Sequence, residues 1–195
     1  MGRFYAFELC AGSLDQVFLT EDNPQKYRGP PLPRHIKVLL QLAEGLAYIH
    51  SKGLVYRDIK PENVLISISA ETVTMKWADF GLSKETDEDG FYEMSGQKGT
   101  LYWMAPEILA FTIRGCGSSA GPNKFTCTAD VFSAGCLFFS FLTGGVHPFG
   151  STVKRDVSSN IESNNPVNFL DGSEYLCLNV FRIINIYFNN GNLLK

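Results

Sequence analysis

Taken only as apolar and polar positions, the chain divides into segments of different period. Ile36, Leu39, Leu40, Ala43, Leu46, Ala47 and His50 recur at helical spacing behind Pro33, a residue suited to a helix start, until Gly53 stops the run. "NVLIS" and "TVTMKWADF" predict two short strands around a turn at "ISAET", so the polar loop before the first and the "ADFGL" that ends the second should lie close in space. "TADVFSAGCLFFSFLT", Thr128 to Thr143, is apolar nearly all round, which predicts a helix in the middle of a domain, closed by Gly144 and Gly145.

Between these the signals are weaker. "RFYAFEL" predicts a buried strand and "CAGS" a break. A short helical run follows from about Leu14 to Leu19, and "GPPLP" is a linker. From Ser83 to Thr100 the chain is polar, acidic around "ETDEDG" and poor in core residues, the mark of a long mobile segment of the functional kind. "RGCGSSAGPNK" is a surface loop, and Lys154 to Phe169 is polar and only weakly helical. No internal repeat or low-complexity tract interrupts the picture of one domain.

Composition narrows the function classes. With 195 residues, 45% hydrophobic and 19% charged, the chain can bury a substantial core. A net charge of −3 and a pI near 5.6 give no basic footprint, which argues against direct nucleic-acid binding. Cys10, Cys116, Cys127, Cys136 and Cys177 form no CxxC pair, and their odd number favours a reducing compartment over a disulfide framework. The N-terminus lacks a signal segment, and "LCLNVFRIINIYF" is too short to span a bilayer and is broken by Asn179, Arg182 and Asn185. The expectation is a soluble chain without a membrane segment.

One stretch stands apart. "LVYRDIKPENVLIS", Leu54 to Ser67, sets arginine, aspartate, lysine, proline and asparagine between two apolar runs, as a loop does when a packed core displays it. "YRDIKPEN", followed by "DFG" at Asp79 to Gly81 and "APE" at Ala105 to Glu107, resembles in order and spacing the signatures of the eukaryotic protein kinases. Thr100 in "GTLYWMAPE", together with Lys60, resembles the serine/threonine class.

Phosphoryl transfer needs positioned metal ions, charge neutralisation and an acceptor for the hydroxyl proton. The resemblance implies that Asp58 accepts or orients the substrate hydroxyl proton and that Lys60 places a positive charge beside the transferring phosphate. Asn63 and Asp79 supply oxygen donors to Mg2+, with ATP as the phosphoryl donor. Taken singly, Asp58 could cap a turn, Asn63 could start a strand and Asp79 could be a solvated carboxylate; the joint spacing favours the site. Arg57 could hold a phosphate on the mobile segment or make a structural salt bridge. Thr86, Tyr92 and Ser95 are candidate phosphorylation sites, Ser95 the favoured one, and Thr100 is grouped with Arg57 and Ser95 as regulatory. "ETDEDG" lacks the closing glutamate of a calcium loop and is read as a solvated acidic run. Tyr56, where the family more often has histidine, and Phe80 are expected to stack, and Asp130 to hold the catalytic loop by hydrogen bonds.

"FELCAGSLDQ", "DFGLSK", "GTLYWMAPEIL", "DVFSAGCLFF" and "GGVHPFG" resemble more narrowly the inositol-requiring stress-sensor kinase/endoribonucleases of the endoplasmic reticulum. The likeness covers about Phe4 to Gly150. It implies a fold that is α+β, mainly α: a kinase C-terminal lobe whose short β-hairpin bears the catalytic and DFG loops, with the N-terminal lobe largely missing. Residues 4–150 are then the hinge and C-lobe, and residues 151–195 a divergent tail with no assignable domain. Phe7 falls at the gatekeeper position, Glu8, Leu9 and Cys10 border the adenine, and Leu65 forms its floor. No glycine-rich loop, strand lysine or partner glutamate precedes them in the sequence, and no ribonuclease residue can be assigned. The implied activity is that of a Ser/Thr protein kinase acting on protein hydroxyls, autophosphorylating in its intact form, in an unfolded-protein-response sensor on the cytosolic side of the endoplasmic reticulum. A homodimer or pairing with full-length relatives is the implied assembly. The rival expectation is a truncated, non-catalytic scaffold that binds such relatives.

Overall fold

One helix serves two hydrophobic clusters, which explains why the most apolar stretch of the sequence has no polar face. The computed structural model describes residues 8–94, 99–114, 124–150 and 154–169. In it α4, Thr128–Leu142, sends Ala134, Leu137, Phe138 and Phe141 into a cluster with α2, His35–Ser51, and Ala129 and Cys136 into a second cluster on its other side. Each buried Leu or Phe contributes about 1.5–3 kcal/mol, and a helix flanked on both sides has little surface left for polar residues.

The first cluster is closed by a hairpin of β3, Val64–Ser69, and β4, Thr72–Trp77, paired from Val64–Trp77 to Ser69–Thr72. Its turn residues, Ala70 and Glu71, both lie at positive φ (44° and 67°), as a two-residue hairpin turn requires. Because side chains alternate across a pleated strand, Val64, Ile66, Val73 and Met75 pack inward while Leu65, Ser67 and Lys76 share the outer face. A third strand, β1 at Gly12–Ser13, pairs with β3 and leads into α1, Leu14–Val17. The chain was expected to break here; backbone pairing needs no apolar side chains, so the sequence pattern hides this strand. The expected strand "RFYAFEL" falls almost wholly outside the described residues.

α2 buries Val38, Leu39, Leu42, Ala43, Leu46 and Ile49, a face turned from the expected one, and leaves Ile36 half exposed. Apolar residues cover much of this helix, so periodicity alone cannot choose between adjacent faces; contact with the hairpin and α4 does. Gly45 sits where a Cβ would lie 2.9 Å from the Trp77 ring, and the ring is fixed by its Nε1–H bond to the Leu42 carbonyl (3.0 Å). A mid-helix glycine is thus explained by a tryptophan on the neighbouring strand.

The second cluster gathers the segment after the hairpin. β2, Leu54–Val55, pairs with β5, Lys84–Glu85, and β6, Tyr92–Glu93, pairs with β7, Lys124–Phe125. Over the described part of Ser83–Thr100 the segment is therefore stitched down at two places. α3, Pro106–Arg114, adds Ile108 and Leu109, and α5, Lys154–Glu162, adds Val157 and Ile161. Asn168 then donates to the carbonyls of His147 (2.8 Å) and Gly150 (2.6 Å), and Asn160 to that of Phe149 (3.0 Å), tying residues 154–169 to the loop after α4. Among the described residues no helix is long and apolar enough to cross a membrane, and Cys10, Cys127 and Cys136 are free thiols.

Candidate active site

The loop between β2 and β3 is held from beneath by a buried carboxylate. Asp130, 2% exposed near the start of α4, accepts the backbone N–H of Tyr56 at Oδ2 (2.7 Å) and that of Arg57 at Oδ1 (2.8 Å). His50 Nε2 lies 2.8 Å from Oδ2. These bonds hold Arg57 at a φ of 71°, a left-handed conformation that costs a residue with a side chain about 1–3 kcal/mol unless its surroundings impose it. The hydrogen-bonding role expected of Asp130 is thus observed.

Above that anchor four predicted residues meet. Asp58, 6% exposed, accepts the Thr100 hydroxyl at Oδ1 (2.9 Å) and both Lys60 Nζ (2.9 Å) and Asn63 Nδ2 (2.8 Å) at Oδ2. Lys60 Nζ also donates to Thr100 Oγ1 (3.1 Å), closing a ring of contacts, and Asn63 Nδ2 reaches the Asp58 carbonyl (2.8 Å). A buried carboxylate is tolerated when it is paired and hydrogen-bonded. The single turn Pro61–Asn63 brings Asn63 back beneath Asp58, with proline setting its first position.

Asp79 arrives by the hairpin. Ala78, at the end of β4, donates its N–H to the Asn63 carbonyl (3.0 Å), so Asn63 and Asp79 sit at adjoining strand ends. Asp79 is exposed and left-handed (φ 56°), its Oδ1 accepting the Gly81 N–H at 3.2 Å. The donor chemistry suits a divalent ion. Asn63 commits its amide nitrogen to Asp58 and keeps an oxygen, Asp79 is a solvent-facing carboxylate, and Mg2+ is commonly held by one or two protein oxygens together with phosphates. Tyr56 links the two loops: its hydroxyl donates to the Ala78 carbonyl, and its ring meets Phe80 edge-on (5.3 Å between centroids) and Trp77 at 5.5 Å. Burial, aided by the carboxylates of Asp58, Asp79 and Asp130, pushes the Tyr56 phenol well up and keeps it a neutral donor.

The remaining predicted residues are placed as follows. The Glu8 side chain lies over the outer face of the hairpin, accepting from Ser67 Oγ and Lys76 Nζ, which hold its carboxyl below the usual range. Any contribution of Glu8 to an adenine pocket would therefore come from its backbone. Leu9 is 95% exposed, while Cys10 and Leu65 are half-buried. Phe7 and Ser95 lie outside the described residues. Arg57 turns inward, its Nε–H donating to the Leu82 carbonyl (2.5 Å) and its guanidinium standing 5.6 Å over the Tyr92 ring. Burial lowers its pKa, against the opposing pull of Tyr92 and Asp130. Tyr92 is 3% exposed and built into the second cluster, where the sequence reading had it displayed for phosphorylation. The apolar residues Phe91 and Met94 close to it in sequence were the signal available; alternation in a two-residue strand is too short to read.

Comparison with known proteins supplies the family. A model of the protein kinase domain matches residues 5–174. The human serine/threonine-protein kinase/endoribonuclease IRE2 is 39% identical over 160 residues, covering 80% of this chain and 16% of that protein. IRE1a of Arabidopsis thaliana is 35% identical over 155 residues (78% and 17%), and ire-1 of Caenorhabditis elegans 34% over 163 (80% and 15%). The chain thus spans under a fifth of the length of these relatives. With the match over residues 5–174 and the Asp58, Lys60, Asn63 and Thr100 cluster in place, the chain belongs to the protein kinase domain family, and the relatives it is similar to are serine/threonine-protein kinases.

Proposed function

We propose that the chain forms the hinge and C-terminal lobe of a Ser/Thr protein kinase that transfers the γ-phosphate of ATP to protein hydroxyls, in a stress sensor of the unfolded-protein response. The observation that carries this reading is the closed set of contacts among Asp58, Lys60, Asn63 and Thr100. Nothing in the packing of the hairpin requires four polar side chains to converge there. Residues 4–150 form the lobe, and residues 154–169 pack onto it.

The chemistry follows from the positions. Asp58 is paired with Lys60 at Oδ2, and its Oδ1, bonded to a hydroxyl in Thr100, is the atom suited to a second, substrate hydroxyl whose proton it accepts or orients. Lys60 balances charge on the transferring phosphoryl group from the same side. Asn63 and Asp79 would hold Mg2+, which when bound neutralises the phosphate oxygens and aligns the donor. The backbone of Glu8 to Cys10 borders the adenine and Leu65 lies beneath it, while the Glu8 carboxylate fastens that strand to Ser67 and Lys76. A homodimer on the cytosolic side of the endoplasmic reticulum is part of the same proposal.

The test is transfer of label from γ-labelled Mg-ATP to serine and threonine by the chain fused to the N-terminal kinase lobe of one of the relatives it matches. Asp58→Asn should lower the rate by about 10²-fold or more, the loss typical of a positioned acid–base group. An unchanged rate in the variant would remove the assignment.

A further inference from the structure

The loop that carries Asp58 and the segment that follows "DFG" are joined through the Arg57 side chain as well as through Thr100. Arg57 immediately precedes Asp58, and its backbone is held left-handed by Asp130. Its side chain has two partners on the segment: the Leu82 carbonyl at 2.5 Å and the face of Tyr92 at 5.6 Å. Tyr92 does not drift. It is in a strand paired with Phe125, its ring lies 6.0 Å from that of Phe125, and it is 3% exposed. Lys84 donates to the Glu93 carbonyl, fastening the next residue as well. An arginine over an aromatic face in a water-poor site gains more than at the surface, because the ring quadrupole competes with little solvent.

We propose that Tyr92 is a positioning residue for Asp58: its ring holds the Arg57 guanidinium, and this clamp sets both the catalytic loop and residues 83–94 in place without any phosphate. The proposal rests on reading Asp58 as the catalytic acid–base group, but its geometry can be tested apart from catalysis. The guanidinium that could receive a phosphate from the segment is already engaged with it. Order at residues 84–94 is then built into the unmodified chain, and a phosphate arriving there would have to displace an aromatic ring to reach Arg57.

Amide hydrogen exchange on the phosphatase-treated chain tests this. Residues 56–60 and 84–94 should be protected together in the unmodified protein. Tyr92→Leu, which keeps bulk but removes the π face, should speed exchange in both stretches by about tenfold while α2 and β3 stay protected. Tyr92→Phe should restore protection, since the ring face and not the hydroxyl does the holding. If Tyr92→Leu fails to fold, Arg57→Met decides, with the same joint loss expected. The proposal is overturned if the dephosphorylated protein is unprotected at 84–94, if Tyr92→Phe loses as much as Tyr92→Leu, or if Arg57→Met leaves both stretches unchanged. Each of these outcomes leaves the phosphoryl-transfer reading of Asp58 to its own assay.

Discussion

The Thr100 hydroxyl donates to Asp58 Oδ1 across 2.9 Å, joining the loop between β2 and β3 to the far end of the segment that follows "DFG". Lys60 bridges the same two residues, so the carboxylate is oriented by groups from both sides of the site. Three donors, Thr100, Lys60 and Asn63, thus converge on one buried carboxylate.

Removing the Thr100 donor should be felt in stability. Thr100→Val keeps the shape but leaves Asp58 Oδ1 without its partner, and an unsatisfied buried acceptor costs about 1–3 kcal/mol. Thr100→Ser restores the hydroxyl and should fall within about 0.5 kcal/mol of the parent chain. Urea midpoints of the two variants check the difference.

Gly45 presents two opposed effects of comparable size. Alanine would gain about 0.8–1 kcal/mol of helix propensity in α2. Its Cβ, however, would stand 2.9 Å from a Trp77 ring that cannot swing away without breaking its bond to Leu42, and overpacking of this kind costs about 1–3 kcal/mol. Gly45→Ala should therefore be net destabilising in thermal unfolding, and pairing it with Trp77→Phe should recover part of the loss.

Acid should weaken the protein through His147. Its ring lies edge-on to Trp103 (4.6 Å) and its Nδ1 accepts the Phe149 N–H (3.2 Å), both of which suit the neutral imidazole. Burial, partly opposed by the Tyr102 carbonyl, pushes its pKa down from 6.5 to about 4. The folded state thus binds the proton less readily than the unfolded state. The contribution is fully present above pH 6.5, is lost as pH falls from 6.5 to about 4, and amounts to on the order of 3 kcal/mol across that window. His147→Gln should flatten the pH dependence of the urea midpoint there.

The legible parts of this chain were those where motif spacing or an unbroken apolar run marks the sequence. Asp58, Lys60 and Asn63 were readable as a group through their joint spacing, and the structure brings them together with Thr100; the helix 128–142 was readable because burial on both sides leaves it no continuous polar face. The hairpin was legible as two runs around a turn, though Ile68 and Ser69, assigned to the turn, belong to β3. Less legible was anything set by contacts remote in sequence. The face of α2 was chosen by the hairpin, the strand at Gly12–Ser13 by backbone pairing alone, and the direction of the Glu8 side chain by Ser67 and Lys76, about sixty residues away. Tyr92 lies in a segment that is polar and acidic overall, which points to a displayed hydroxyl; its burial depends on Phe125 and Arg57, which local pattern cannot supply.

The central claim is that Asn63 and Asp79 converge on one divalent ion beside Asp58, and metal mapping addresses it directly. The 195-residue chain is titrated with Mn2+ in the presence of ADP, and paramagnetic broadening of its amide resonances is followed. The predicted result is strongest broadening at Asn63, Asp79 and their neighbours, abolished by Asp79→Asn. Broadening centred on the acidic run Glu85 to Asp89, or unchanged by Asp79→Asn, would contradict the account.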